Sequence, residues 1–125
     1  MPRSEPHLEH LPDVIFHICP EEDWQSSEIT GVYAGSSLAR ADGYLHFSVR
    51  EQLAESFSRH FPGPEGLVIL IVRMNDLLAL GADVRWEPSR GGALFPHLYS
   101  PVPLSAVAEV LPAREIARIT GPITD

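Results

Sequence analysis

The sequence predicts one α+β domain: a strongly bent mixed sheet carrying short helices. Three observations lead there. Short β-branched and aromatic runs alternate with short helical patterns in the order β-α-(turn)-β-α-β-(α)-β-β-β. The 12 prolines among 125 residues are about double the usual share of roughly 5%, so the elements are short. A chain of 125 residues with 44% apolar content has the size of a single domain and buries a core without metal or disulfide staples.

Residues 1–13, with three prolines, two histidines and few core-forming side chains, read as an N-terminal arm. Residues 14–112 form the expected domain, and 113–125 a tail with only weak alternation. Residues 14–19 are a strand ended by Pro20, and 21–29 a short helix with acidic residues at its start. Residues 31–35 break the pattern; 36–41 allow one helical turn before the turn dipeptide Asp42-Gly43. Residues 44–47 are a strand. Ser48-Val49-Arg50-Glu51 then reads as a capping box, opening a helix whose Leu53, Ala54, Phe57 and Phe61 share one face. Pro62-Gly63-Pro64 ends that helix. The continuously apolar run 67–73 is expected as a central strand covered on both faces. A short helix or turn at 74–80, a strand at 84–87, a glycine-rich loop at 89–93 and strands at 97–99 and 106–111 complete the pattern. There is neither an internal repeat nor a linker.

Composition narrows the chemistry. All nine basic residues are arginine, so a lysine-dependent phosphate loop and Schiff-base catalysis are excluded. The single Cys19 excludes an intrachain disulfide, a cysteine-rich zinc site and a C-x-x-C redox pair. With a formal charge of −8 the chain is not expected to bind nucleic-acid backbone generically. The longest apolar run is too short to cross a bilayer and the N-terminus lacks a secretory pattern, so the expected location is the cytoplasm. Oligomeric state is not legible.

The remaining candidates are histidines, carboxylates and aromatics. Period-two alternation places Ile15, His17 and Cys19 on one face of the first strand, and Tyr44, His46 and Ser48 on one face of the second. If the two strands are neighbours, His17 and His46 line one cleft; the alternative is two half-buried imidazoles bonded to backbone. His97 lies in Phe95-Pro96-His97-Leu98-Tyr99, which suits a site wall or a packed hairpin. Glu87 follows Trp86, whose bulk would desolvate the carboxylate and raise its pKa for acid–base work; a salt bridge to Arg85 or Arg90 is the alternative. Free amides at a helix start, with Arg40, Arg50 or Arg90, are the available phosphate binders. Trp24 and Tyr33 either stack on a planar ligand or cover the sheet edge. His17, His46, His97 and Glu87 offer a nitrogen–oxygen metal set without any tight ligand spacing, so a metal-dependent hydrolase ranks third and no metal site is assigned.

Ile15-Phe16-His17-Ile18, Trp24, Tyr33, Ser37-Leu38, Asp42-Gly43-Tyr44-Leu45-His46-Phe47-Ser48, Gln52, Trp86-Glu87 and Phe95-Pro96-His97-Leu98-Tyr99 together resemble a bacterial family, domain of unknown function 952, over about residues 14–111. That resemblance implies a fold similar to ADP-ribosyltransferases, with two short curved sheets around a dinucleotide cleft. It implies His17 as the first-strand histidine that contacts ribose, Glu87 as a late acid, and Tyr44 or Tyr99 as the aromatic beside a nicotinamide. The expected function is therefore an ADP-ribosyltransferase-like protein that binds or transforms a nucleotide or phosphorylated small molecule, with NAD as a candidate cofactor. His17, His46 and Glu87 are its expected catalytic residues. Trp24, Tyr33, Tyr44, Ser48, Arg90, His97 and Tyr99 are its expected ligand contacts. The sequence departs from the group in lacking an arginine before His17 and a second acid two residues before Glu87. A non-catalytic ligand-binding or interaction module is the alternative.

Overall fold

Strand β1 (Val14–Pro20) buries both of its faces, and it does so because its side chains alternate between two different cores. Ile15 and Cys19 enter the first core; Val14, Phe16 and Ile18 meet the second. The computed structural model describes residues 11–35 and 41–121. Most of the expected arm and the positions of Ser37, Leu38 and Arg40 lie outside the described residues.

β1 pairs antiparallel with β4 (Leu67–Arg73), which pairs with β8 (Val107–Pro112). β4 is the expected central strand: Val68, Leu70 and Val72 face the first core, while Leu67, Ile69 and Ile71 face the second. A second sheet has the order β3 (Leu45–His46), β6 (Leu94–Leu98), β5 (Val84–Pro88), and β2 (Val32–Tyr33) pairs with β7 (Val102–Pro103). Every pairing among the described residues is antiparallel. The first two sheets are one bent surface, joined where Phe16 and Ser48 exchange backbone hydrogen bonds of 2.9 and 2.8 Å.

The helices cover the flanks. α1 (Glu21–Thr30) ends at Gly31, whose φ of 94° closes it with a bond to the Ser27 carbonyl. α2 (Arg50–His60) lays Leu53 and Phe57 on the second core, and α3 (Met74–Ala79) gives Met74 and Leu77 to the first. α4 (Ala117–Thr120) seats Ile119 on the second core, so the segment read as a tail packs against β1 and α2. No helix among the described residues is long and apolar enough to cross a membrane.

Local readings shift in three places. The helix cap moves from Ser48 to Val49, because Ser48 is taken up by the backbone bridge to Phe16. Gln52, not Glu51, closes the cap by accepting the Val49 N–H at 3.0 Å, and the Ser48 hydroxyl instead donates to Ser56 at 2.9 Å. The strand expected at 97–99 begins at Leu94, since Pro96 needs no donor partner and offers its carbonyl to the Phe47 N–H at 3.0 Å. The break at 31–35 and the proline-rich stretch after Tyr99 contain the short β2–β7 pair.

The second core hangs on few side chains. Leu53→Ala, at a fully buried site, should lower unfolding free energy by about 2–5 kcal/mol. Leu78→Ala, at a site 43% exposed, should change it by less than about 0.5 kcal/mol. Urea denaturation of the two variants checks the contrast.

Candidate functional site

The β3–β6–β5 sheet turns Leu45, Leu98, Val84 and Trp86 toward the first core. Period-two alternation therefore sends their neighbours outward. His46 and His97 are directly opposite in register, as are His97 and Arg85. The outer face thus collects Tyr44, His46, Arg85, Glu87, His97 and Tyr99. Tyr44 stacks on His97 with ring centres 4.4 Å apart and lies 4.7 Å from His46 and 5.1 Å from Tyr99. The two imidazoles meet edge-on at 5.2 Å.

Each histidine is anchored by a carboxylate. His97 Nδ1 donates to Glu87 Oε1 at 2.7 Å, and the Tyr99 hydroxyl donates to the same oxygen at 2.7 Å. His46 Nε2 donates to Asp42 at 2.8 Å. Ionised carboxylates only accept, so the protonated nitrogen of each neutral ring is the one facing its carboxylate. Arg85 lies over the Tyr99 ring, 4.1 Å from its centre, and Asp83 holds the guanidinium through two bonds of 3.2 and 3.0 Å. Glu87 departs from expectation: Trp86 points to the opposite side of the strand and does not desolvate it. The bonds from His97 and then Tyr99 hold its carboxyl below the usual range, so Glu87 is an ionised anchor for His97.

His17 lies elsewhere, beneath this face. Its Nδ1 donates to the His46 carbonyl at 2.6 Å and its Nε2 accepts from the Tyr33 hydroxyl at 2.9 Å, with the Phe47 ring 5.1 Å away. A carbonyl cannot donate, so the tautomer is fixed and both ring nitrogens are occupied. Burial pushes this imidazole down to about 4, outweighing the bond to the His46 carbonyl. Burial likewise pushes the Cys19 thiol, beside Tyr33, up to about 12. His17 and His46 therefore do not line one cleft: they touch through the backbone of His46, on opposite sides of β3.

Of the other expected contacts, Tyr33 and Ser48 are buried and Trp24 packs against the first core. Arg90 begins a tight turn, Arg90–Gly92, in which Gly91 has φ 66°. Arg50 donates to the Ile119 carbonyl and lies over Phe16, on the far flank. Among the described residues no three histidine, cysteine or acidic side chains converge as metal ligands, so the set His17, His46, His97 and Glu87 does not form. Two open cavities among the described residues lie away from this face. One of about 160 Å³ lies among Phe16, Arg50, Glu109 and Arg118, and one of about 320 Å³ beside Glu21 and Gly66. Asp42 and Arg85 were missed as site residues. The signals were a carboxylate four residues before His46 and an arginine in phase with Glu87.

Residues 18–110 match the family described as protein of unknown function (DUF952). The chain is also similar to the crystal structure of protein CC0527 from Caulobacter crescentus, at 39% identity and a TM-score of 0.71 over 78% of this chain and 82% of that one. The solution structure of CC0527 gives 37% identity and a TM-score of 0.67, covering 81% of this chain and 84% of that one. Nothing matches among curated proteins.

The buried His17 makes stability depend on pH. The unfolded chain protonates it near 6.5 and the folded chain near 4. Above pH 6.5 neither state binds the proton. As pH falls through this window the unfolded state binds more, so stability drops, by up to about 3 kcal/mol once below the folded value. Urea unfolding at several pH values should show this slope, and His17→Gln should flatten it.

Proposed function

The chain belongs to the DUF952 family, and we propose that its outer β3–β6–β5 face binds a nucleotide or a related phosphorylated small molecule. The observation that supports this reading is the convergence of Tyr44, His46, His97 and Tyr99 with Arg85 and two carboxylates on one sheet face. Aromatic rings offer a base or nicotinamide a stacking surface. Imidazole nitrogens and the guanidinium offer donors for ribose hydroxyls and phosphate. Without lysine, any bound anion depends on arginine, histidine or backbone amides.

The sequence resemblance to ADP-ribosyltransferase-like domains makes a transferase the finer form of the proposal, with NAD as its donor and the cytoplasm as its location. In that form His46 and His97 hold the ribose hydroxyls and receive protons. Glu87, an ionised carboxylate beside them, supports positive charge developing at the ribose carbon. A second reading, a binding module without chemistry, is favoured by one observation: the His97 side chain is only 6% exposed, and Tyr44 stacks on it.

Calorimetry with NAD, ADP-ribose and AMP tests the reading. Arg85→Ala should weaken binding about tenfold. No binding of any of the three at millimolar concentration would sink the proposal. Incubation with NAD separates the two forms: release of nicotinamide supports the transferase, binding without release the module.

A further inference from the structure

Resting on that reading of the face, we propose that His46 and His97 are an acid–base pair that hydrolyses a small cyclic phosphodiester of the ribonucleoside 2′,3′-cyclic phosphate class. Four features of the face carry this. The imidazoles are cross-strand partners with centres 5.2 Å apart. Each is fixed at one nitrogen by its own carboxylate, Asp42 for His46 and Glu87 for His97. The other nitrogens, Nδ1 of His46 and Nε2 of His97, carry no hydrogen bond among the described residues. Arg85, clamped by Asp83 and laid over Tyr99, puts a fixed cation beside the pair.

Two such imidazoles can take a proton from a nucleophile and give one to a leaving group on the same phosphorus. His46, with a side chain 52% exposed, meets water and acts as base. His97, whose Nδ1 donates to the ionised Glu87, acts as acid in the form that also holds a proton on Nε2. A water oxygen bonds to phosphorus and its proton passes to His46 Nδ1. The bond from phosphorus to one ribose oxygen breaks, and that oxygen takes the proton from His97 Nε2. The product is a nucleoside monophosphate, and exchange with solvent resets both rings. A cyclic phosphate bears one negative charge, which suits a protein of formal charge −8 better than a polyanionic strand does. Tyr44 and Tyr99 supply the surface against which the base stacks.

The test is incubation of the full chain with adenosine 2′,3′-cyclic phosphate followed by ³¹P NMR, alongside calorimetry with AMP. The expected result is conversion to monophosphate with a rate that falls on both sides of an optimum pH. His46→Asn and His97→Asn should each lower the rate by at least about 100-fold. His97 is buried and its replacement can unfold the chain, so Asp42→Asn, at an exposed carboxylate, gives a second readout: a rate loss of about tenfold or more with a displaced pH optimum, in a chain that unfolds in urea as the parent does. Bound AMP with the cyclic substrate left intact would overturn the acid–base pair and leave the nucleotide reading standing. Binding of neither compound would overturn both.

Discussion

Two backbone hydrogen bonds between Phe16 and Ser48 turn two small sheets into one bent surface, and the rest of the structure is arranged around that seam. Phe16 spends its opposite edge on Ile71, so β1 is the strand on which both halves hang. His17, the next residue, reinforces the junction with its side chain by binding the His46 carbonyl from inside. The seam also sets where α2 begins, because Ser48 cannot be both a bridge and a helix cap. A neutral histidine suits this place better than a hydrocarbon would: it satisfies a buried carbonyl and a buried phenol at once.

The face follows from the seam. Once β3 is fixed against β1, alternation sends His46 outward as Leu45 and Phe47 go inward, and register sets His97 opposite it. The two carboxylates then do comparable jobs from different places, Asp42 from the turn before the strand and Glu87 from the next strand but one. Gly43, with φ 87°, provides the left-handed backbone that carries the chain from Asp42 into Tyr44. The result is a polar cluster on rigid strands, with its tautomers set by geometry.

Much of this was legible in sequence because it depends on local period. The β1 alternation, the central place of β4, the Leu53–Phe57 side of α2 and the shared side of Tyr44 and His46 all read directly from spacing. What was not legible depends on distant partners. His17 is defined by residues 16 and 29 positions away, so its role as a buried structural imidazole could not be told from that of a cleft histidine. Ser48 has every local mark of a cap and loses the role to a long-range bridge. Trp86 adjoins Glu87 in the chain, but adjacent strand residues face opposite ways, so chain proximity misled where period two would have corrected it. β2 and β7, two residues each, are too short to show any period.

That division of β5 between its two sides has an optical consequence. Trp86 packs on the first core, and so does Trp24. The outer face carries Tyr44 and Tyr99, with Tyr44 within a few ångströms of both histidines. Emission excited selectively at tryptophan therefore reports on the interior and on unfolding, while events at the outer face register in the tyrosine absorbance and in the imidazole resonances. A ligand survey that watches tryptophan would be looking from the wrong side of the sheet.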